Sequence, residues 1–337
     1  MTEILTFLAA ILIGFIVLSW SADRLIEVAS TLASRLGMSI LIIGMTIVAF
    51  GTSAPELLVS AVAAYEGAGG ISIGNALGSN IINTGLVLAV CGLVTPLIIS
   101  RRILTRELPL LCGVTLFALL LMWDGVLGQL DGLLLGAGLV AYCFYLSRHS
   151  GGDSEGDSDV ILLPISTNRA MFESLLLLIL LLGSSRLLVW GASEMARSFG
   201  ISELVIGLTV IAFGTSLPEL AAALASARKG MFDMVMATVL GSNIFNLLGV
   251  LAFPGILGDG IELDAMVLQR DGLAMLGLTA ILVASAYTGR SSDRKLLTTV
   301  GGITKENTGE SIIPKYKSAI MLLAFVAYMG WLLVTGL

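Results

Sequence analysis

The feature that most constrains this chain is an internal repeat. Residues 44–60 read GMTIVAFGTSAPELLVS and residues 207–223 read GLTVIAFGTSLPELAAA, with identity at 10 of 17 aligned positions. At the same offset of 163 residues, and without a gap, GNALGSNIIN at 74–83 aligns with ATVLGSNIFN at 237–246. Such self-similarity indicates one structural unit present twice. Whatever chemistry the first copy carries is therefore expected again in the second.

Both copies are too hydrophobic for a soluble domain. The 337 residues are 56% hydrophobic and only 12% charged, with a mean hydropathy of +0.98, whereas soluble domains are about half apolar and a quarter charged. The apolar runs have the length of a membrane-spanning helix, about 20 residues, and lack the alternation of an outer-membrane barrel. The sequence predicts an all-α integral membrane protein with the lipid bilayer as its surroundings and no nucleic acid partner.

Hydropathy along the chain predicts ten transmembrane helices. The expected division is a first five-helix repeat at 1–146, a cytoplasmic linker at 147–170 and a second five-helix repeat at 171–337. The predicted spans are 4–33, 40–64, 71–95, 107–123, 127–146, 171–196, 203–227, 233–256, 272–288 and 317–336.

The distribution of basic residues predicts the orientation. Of the 18 lysine and arginine residues, 14 lie in loops that follow odd-numbered spans, and only Arg197 and Arg270 lie in the other loops. Cytoplasmic loops are the ones enriched in lysine and arginine. We therefore expect the loops after odd-numbered spans in the cytoplasm and both termini outside.

An odd number of spans in each copy has a topological consequence. The second five-span unit must enter the membrane from the side opposite to the first, so the copies form an inverted-topology repeat. This architecture is typical of secondary transporters, whose binding sites form near the membrane midplane from helices that are broken there. The symmetry is expected to bring equivalent residues of the two copies to one place.

Glu56 and Glu219 are the candidate centre of that place, because each is a carboxylate near the middle of an apolar span. An unpaired charge there costs about 3 kcal/mol or more. Spans two, three, seven and eight offer no internal lysine or arginine, while Arg24 and Arg186 are expected nearer an interface. A bound cation is the simplest partner for the two glutamates.

The residues around the glutamates supply further oxygen ligands. Pro55 and Pro218 are expected to break their helices and to free the carbonyls of Gly51 and Gly214, one turn earlier. Hydroxyl and amide oxygens come from Thr52, Ser53, Thr215 and Ser216 and, on the partner helices, from Ser79, Asn80, Asn83, Ser242, Asn243 and Asn246.

An all-oxygen inventory favours calcium or sodium over zinc or copper, and two carboxylates match the charge of calcium. A single Gly-Ser-Asn or Thr-Ser pair is also typical of helix packing or of a helix kink. Packing alone, however, does not require the Pro-Glu pair that both copies place in the middle of a span.

Two other features have competing interpretations. The acidic segment SGGDSEGDSD at 150–159, next to His149, resembles a calcium loop, but the twelfth position counted from Asp153 is Pro164 instead of the glutamate that such loops require. A flexible linker is the favoured interpretation. The three cysteines lie within apolar segments without metal-like spacing, which predicts small core residues.

Through its paired GTSxPE and GSNxxN motifs, the sequence resembles the cation/calcium antiporter superfamily, and within it the short prokaryotic-type sodium/calcium exchangers. The resemblance covers nearly the whole chain. It implies ten helices, alternating access and exchange of calcium for sodium. It further implies a calcium site made by Glu56, Glu219, Thr52 and Thr215, and flanking sodium sites made by Ser53, Ser79, Ser216, Ser242 and the carbonyls of Ala49 and Ala212. Asn83 and Asn246 would line the site, and their neutral amides imply independence from potassium.

Three rival functions remain open at this point. Protons can replace sodium at both glutamates, which would make a proton/calcium antiporter, although proton-coupled relatives tend to carry an additional acid in spans three and eight, whose midspan parts here have none. A passive cation channel is the second rival. An enzyme is disfavoured, because no nucleophile, base and orienting group converge. No cofactor and no obligate protein partner are expected, and the transported ions are calcium and sodium.

Overall fold

The computed structural model describes residues 2–148, 162–199, 212–257, 260–264, 266–289, 296–300, 303–307 and 311–335. Its helices are α1 (Thr2–Leu36), α2 (Ile40–Thr52), α3 (Ala54–Tyr65), α4 (Gly69–Val94), α5 (Ile103–Leu121), α6 (Gln129–Arg148), α7 (Thr167–Ser198), α8 (Ala212–Thr215), α9 (Leu217–Arg228), α10 (Phe232–Leu257), α11 (Val267–Thr288) and α12 (Lys315–Thr335).

Membrane-spanning helices dominate the fold, as predicted. Within the described residues, eight helices are long and apolar enough to cross a membrane, and a ninth span results if the bent pair α2–α3 counts as one. Nine of the predicted spans coincide with described helices to within a few residues. The seventh predicted span, 203–227, begins outside the described residues, which resume at α8 and continue through α9.

Two other predictions fall on residues that are not described. The acidic segment 150–159 and His149 lie between the described ranges that end at 148 and resume at 162. Both the linker and the calcium-loop interpretations of this segment therefore stay predictions.

α4 and α10 form the centre of the bundle. In each long helix we compare how much of an 18-residue apolar stretch is buried inside the protein. The buried share is 100% in α10 and 72% in α4, whereas it is 17–44% in the other long helices. These two helices carry the GSNxxN motifs. Because protein surrounds them on nearly every side, their polar side chains are shielded from lipid, where an unsatisfied polar group is costly.

α1 and α7 lie together at the periphery and pack against each other along their lengths. Gly14 and Gly191 permit the close approach, since a Cβ at Gly14 would lie 2.9 Å from the Leu188 Cβ, and one at Gly191 would lie 2.9 Å from the Phe7 carbonyl oxygen. Phe7 and Trp190 add an edge-to-face contact with a centroid distance of 5.8 Å. The two helices therefore make one continuous peripheral pair.

Five of the helices within the described residues contain a π-helical segment, which the sequence analysis did not predict. One lies in α2 at Gly44–Val48, and the others begin at Asn83 in α4, Ile103 in α5, Asn246 in α10 and Val267 in α11. The segments in α4 and α10 begin at the equivalent asparagines of the two copies. π-Helical turns inside α-helices are frequent at functional sites.

Short strands pair antiparallel in the connections between helices. β1 (Leu97–Ile99) pairs with β6 (Ser311–Ile313), β2 (Val126–Leu127) with β3 (Ile261–Glu262), and β4 (Leu296–Val300) with β5 (Ile303–Asn307). The first two pairs join connections that are far apart in sequence. The all-α prediction therefore holds for the membrane-spanning part, while these loops contain strand pairs of two to five residues.

The tight packing of α10 against α2 yields a stability prediction. A Cβ at Gly241 would lie 2.7 Å from the Ala49 Cβ and 3.2 Å from the Met45 Cα, whereas a Cβ at Gly113 in α5 meets nothing within 4 Å. We expect Gly241→Ala to destabilise the protein by about 1–3 kcal/mol through overpacking. Gly113→Ala is the control and should be neutral or stabilising. Thermal denaturation in detergent measures both, and equal melting temperatures for the two variants would contradict the packing argument.

Candidate ion-binding site

The two glutamates of the repeat occupy equivalent places. Glu56 lies in the first turn of α3 and Glu219 in the first turn of α9, each directly after a proline at the start of its helix. Both side chains are 1% exposed. Proline is tolerated at this position because the first turn of a helix has no backbone acceptor for its N–H group. The positive end of the helix dipole then favours a carboxylate in the first turn.

A single serine breaks the helix in front of each glutamate. Ser53 has φ −82° and ψ 0°, and Ser216 has φ −90° and ψ 5°, so both leave the α-helical region at the same point of the motif. α2 and α3 meet at this break at an angle of 45°. The predicted broken helices are thus present, and the break turns the glutamate toward the interior of the bundle.

Hydroxyl groups from both copies surround the carboxylate of Glu219. Ser53 Oγ of the first copy donates to Glu219 Oε1 at 3.4 Å, and Ser242 Oγ of the second copy donates to the same oxygen at 3.4 Å. Thr52 Oγ1 of the first copy adjoins this group, 3.5 Å from Ser242 Oγ. Residues separated by more than 160 positions in sequence therefore meet at one carboxylate, as the predicted symmetry requires.

The backbone carbonyl of Ala49 belongs to the same cluster. It accepts a hydrogen bond from Thr52 Oγ1 at 3.2 Å, and it lies 3.5 Å from Ser242 Oγ as an alternative to Glu219 for the single proton of that hydroxyl. Thr52 Oγ1 and Ser242 Oγ lie 3.5 Å apart. The cluster thus combines a carboxylate, a carbonyl and hydroxyls within hydrogen-bonding distance of one another. All of its polar atoms are oxygens.

Glu56 and Glu219 lie close enough to repel each other electrostatically. Within the described residues, neither glutamate has a lysine or arginine partner: Arg24 pairs with Glu27 and Glu173, and Arg186 is exposed. In the described part of the chain, no group of three or more His, Cys, Asp or Glu side chains is placed so that it could hold a metal ion. A cation bound here would therefore be held by two carboxylates and neutral oxygens.

Several buried oxygens of the two glutamates and of the motifs that accompany them have no hydrogen-bond partner among the described residues. Buried polar groups are usually paired, and each exception needs an explanation such as an ion that is absent from the coordinates. These atoms are Oε2 of Glu56, Oε2 of Glu219, Oγ of Ser216, and Oδ1 of Asn83, Asn243 and Asn246. All of them belong to residues that the sequence analysis named as sources of oxygen ligands. A set of buried acceptors without donors has the chemistry of a hard-cation site.

Amide groups connect α4 and α10 across the centre. Asn80 Nδ2 donates to the Asn243 carbonyl at 3.2 Å, and Asn246 Nδ2 donates to Asn80 Oδ1 at 3.1 Å. Asn243 Nδ2 donates to Thr84 Oγ1 at 2.9 Å. These bonds satisfy amide N–H groups inside the bundle, and they leave the Oδ1 atoms of Asn243 and Asn246 as free acceptors.

The carbonyls expected to be freed by proline differ between the copies. The Gly214 carbonyl accepts a hydrogen bond from Ser185 Oγ of α7 at 3.0 Å. The equivalent position of α1 is Ala22, which has no hydroxyl to offer Gly51. The Gly214 carbonyl therefore accepts from a serine on the neighbouring helix through one of its two lone pairs, and the role of both carbonyls as ligands stays a prediction.

The predicted site residues are only partly connected by direct contacts. Hydrogen bonds join Ser53, Thr52, Ala49, Ser242 and Glu219, and Glu56 is near enough to Glu219 for their charges to interact. The other residues assigned to the site are placed by the helices that carry them: Ser79, Asn83 and Asn246 are buried on α4 and α10, Ser216 is buried at the helix break, Thr215 ends α8 and Ala212 begins it.

The structure adds three residues that the sequence analysis did not assign to the site. Thr84 accepts from Asn243, Ser185 donates to Gly214, and Asn75 Nδ2 donates to the Glu56 carbonyl at 3.2 Å. Asn75 could have been found, because it stands in the first copy of the aligned GSNxxN segment. Thr84 and Ser185 have no such signal, since the contact of each depends on how two helices pack.

Comparison with known proteins identifies the family of the chain. A family model described as sodium/calcium exchanger protein matches residues 6–148 and 170–334. The chain belongs to this family. It is 43% identical to the putative antiporter CaxA of Alkalimonas amylolytica over 83% of this chain and 90% of that protein. It is 38% identical to the inner membrane protein YrbG of Escherichia coli strain K12 over 82% of this chain and 87% of that protein.

The fold is also that of a solved member of the family. The sodium-calcium exchanger NCX_Mj, soaked with 10 mM Na+ and zero Ca2+, superposes with a TM-score of 0.80 at 28% identity, over 97% of this chain and 99% of that chain. The predicted family is thus confirmed, and with it cation/calcium exchange by a multi-pass protein of the prokaryotic inner membrane. The family is one of transporters, in agreement with the expectation that the chain is not an enzyme.

The unpaired hydroxyl of Ser216 gives a direct test of the site. In ion-free buffer we expect Ser216→Ala to leave the melting temperature unchanged or raised, because it removes a buried group without a hydrogen-bond partner. Adding sodium or calcium should then raise the melting temperature less than in the wild type, since an ion that binds only the native state stabilises it according to its affinity.

Ser226→Ala is the matched control. Ser226 is buried in the same helix, α9, but its hydroxyl is satisfied by the Ala222 carbonyl at 2.8 Å. This variant should keep the full ion-induced shift. A Ser216→Ala protein whose shift equals that of the wild type would remove Ser216 from the site.

Proposed function

We propose that the protein is a secondary antiporter that exchanges calcium for sodium at a single site between the broken helices. The observation that carries this proposal is the set of buried, unpaired oxygens around Glu56 and Glu219. Two carboxylates and several neutral oxygens match both the charge and the ligand number of calcium. The same oxygens can instead hold sodium ions, distributed over the carboxylates and the hydroxyls.

In this proposal Glu56 and Glu219, with Thr52 and Thr215, hold calcium. The flanking sodium positions use the hydroxyls of Ser53, Ser79, Ser216 and Ser242 and the carbonyls of Ala49 and Ala212, with Asn83 and Asn246 lining the site. The contacts of Ser53 and Ser242 with Glu219 support this arrangement, because a hydroxyl that donates to the carboxylate can turn its oxygen toward an ion.

Exchange is coupled because the empty site is costly to move. Without an ion, the two carboxylates would be neighbouring charges in a low-dielectric interior, and a rearrangement through that state carries their desolvation penalty. Calcium removes the penalty in one direction and sodium removes it in the other. The site can therefore change the side of the membrane that it faces only when one kind of ion or the other occupies it.

The proposed architecture has ten transmembrane helices in two inverted five-helix repeats, with both termini outside. α8 and α9 would complete a bent span equivalent to α2–α3. The recurrence of π-helical segments at Asn83 and Asn246, and again at the starts of α5 and α11, supports the repeat. Inversion follows from the odd number of helices in each copy.

Alternating access would be carried by α1 and α7. They pack mainly against each other and lie at the periphery. Only 22% of the apolar stretch of α1 and 33% of that of α7 is buried inside the protein. Glu27 of α1 reaches the connection after α9 through an ion pair with Lys229 at 2.9 Å. Sliding of this pair across the broken helices would open the site first to one side of the membrane and then to the other.

Proton/calcium antiport is the alternative, because two neighbouring glutamates without a basic partner can also be neutralised by protons. The composition of α4 and α10 argues against it. α4 contains no acidic residue, and the only acidic residue of α10 is Asp233 in its first turn, away from the motif. An additional carboxylate for proton transfer is thus missing from the centre of these helices.

Transport into proteoliposomes tests the function directly. Vesicles loaded with sodium and diluted into sodium-free buffer should take up calcium, and the uptake should persist with a proton ionophore and not require potassium. Glu56→Gln and Glu219→Gln should abolish uptake, because each removes a charge that the bound calcium neutralises. Glu66→Gln, an exposed acid just after α3, is the matched control and should retain it.

The outcome separates the candidates. Uptake that requires a pH gradient and is blocked by the ionophore would make the protein a proton/calcium antiporter with the same two glutamates. Uptake that needs no counter-ion gradient would indicate a channel. Full activity of either glutamine variant would refute the proposed site.

Inverted topology can be tested at two equivalent exposed positions. Tyr65 ends α3, and Arg228, 163 residues later, ends α9. In a cysteine-free background, a membrane-impermeant maleimide applied to intact cells should label Tyr65→Cys and should label Arg228→Cys only after the membrane is opened. Labelling of both residues from the same side would contradict the inversion.

A further inference from the structure

A second pair of acidic residues recurs outside the ion site. LTRELPLL at 104–111 aligns with LQRDGLAM at 268–275, so Arg106-Glu107 of the first copy corresponds to Arg270-Asp271 of the second. Both acids lie in the π-helical segments that open α5 and α11. Glu107 is fully buried, and the Asp271 side chain is 15% exposed.

Each acid is held by an arginine and by a tyrosine of the following helix. Arg102 Nε lies 3.4 Å from Glu107 Oε1, and the Tyr145 hydroxyl of α6 lies next to the Glu107 carboxylate. In the second copy Arg270 binds Asp271 through two bonds of 2.7 and 3.1 Å, and Tyr328 Oη of α12 donates to Asp271 Oδ1 at 2.9 Å. The two copies use arginines at different positions of the sequence for the same purpose. We call each of these three-residue groups a clamp.

One turn before the tyrosine of each clamp, the same helix carries another aromatic residue, which begins a series of ring contacts that leads to an FGTSxPE motif. Tyr142 precedes Tyr145 by three residues and Phe325 precedes Tyr328 by three, so each pair shares one helix face. Phe325 makes an edge-to-face contact with Phe213, at a centroid distance of 5.9 Å. Phe213 is the first residue of the second FGTSxPE motif.

The first copy makes the same connection through one additional ring. Tyr142 packs edge-to-face on Phe245 at 5.7 Å, and Phe245 packs on Phe50 at 5.5 Å. Phe50 begins the first FGTSxPE motif, and Phe245 directly precedes Asn246. In both copies a line of contacts thus runs from an acid at the start of one helix to the motif that carries the site glutamate.

We propose that Glu107 and Asp271 are positioning residues of the exchanger, each of which fixes the broken helix of its own copy through the aromatic residues of α6 or α12. The part concerning ion affinity rests on the proposed function, whereas the mechanical link does not. The clamps fix the rotation of α6 and α12. That rotation sets where Phe50 and Phe213 lie, and with them the hydroxyls three positions further along each motif.

The chemistry of the clamps explains why acids are used for this purpose. A carboxylate accepts from the guanidinium and from the phenol at once, and a bond with a charged partner is about twice as strong as a neutral one. Charge is balanced within each clamp, so no ion is needed. A glutamine or asparagine would lose the charge-assisted bond to the arginine while keeping the size of the side chain.

Hydrogen exchange in the purified full-length protein tests the mechanical link without reference to transport. Tyr328→Phe and Asp271→Asn should accelerate amide exchange in peptides covering 212–228, and Tyr145→Phe and Glu107→Gln should do so in peptides covering 44–65. We expect about a fivefold increase, which corresponds to the loss of one hydrogen bond of roughly 1 kcal/mol. Each pair of variants should leave the motif of the other copy unchanged.

Tyr142→Phe is the matched control for Tyr145→Phe. Its hydroxyl has no hydrogen-bond partner among the described residues, so the variant removes an oxygen from the same helix face and keeps the ring contact with Phe245. Exchange at 44–65 should then equal that of the wild type. Uniform acceleration throughout the chain, or no acceleration at the matching motif, would overturn the proposal.

Transport kinetics complete the test. The clamp variants should raise the KM for calcium by about fivefold with a smaller change in kcat. The effect of the double variant Asp271→Asn/Tyr328→Phe should be smaller than the sum of the two single effects, since both substitutions loosen the same three-residue clamp. A loss of kcat with unchanged KM would overturn the positioning role. If wild-type protein fails to exchange calcium for sodium, the proposed function is wrong, while hydrogen exchange still decides whether the clamps hold the motifs.

Discussion

The structure depends on the cost of keeping Glu56 and Glu219 charged side by side in the interior of a membrane protein. Neither has a basic partner among the described residues, and their electrostatic interaction is repulsive. Such a pair is stable only with a bound cation or with protons. The helix breaks, the dipoles of α3 and α9 and the surrounding hydroxyls all lower the cost of the charge, but none of them cancels it. The site is therefore built to be completed by an ion.

This requirement decides which helices are central. α4 and α10 contribute amides and hydroxyls, which cannot face lipid, and they are accordingly the most buried of the long helices. Small residues such as Gly241 allow α2 to approach α10 closely enough for Ser242 to reach the Ala49 carbonyl and the Glu219 carboxylate. The apolar outer helices complete the arrangement, with their large side chains turned toward the bilayer. Polar chemistry at the centre and apolar surface outside thus follow from one constraint.

Much of this could be predicted from the sequence, because hydropathy and the repeat are properties of single residues and their spacing. The span boundaries and the meeting of Ser53 and Ser242 at Glu219 are examples. The contacts of Ser185 with Gly214 and of Thr84 with Asn243 could not be predicted, since they depend on the rotation of neighbouring helices. The π-helical segments could not be predicted for a different reason, because one extra residue in a turn leaves the apolar pattern of the sequence nearly unchanged.

The differences between the two copies bear on which side of the membrane the ion site prefers to face. Two identical inverted repeats would give the inward-facing and outward-facing states equal energy, so any preference must come from unequal residues. Glu27 pairs with Lys229 between α1 and the connection after α9, but the positions 163 residues away hold Trp190 and Glu66, which cannot form the equivalent ion pair. Contacts of this kind, remote from the ions, can bias which side of the membrane the site faces without altering its ligands. The residues that bind the ions thus determine selectivity, while other residues determine the preference of the site for one side of the membrane.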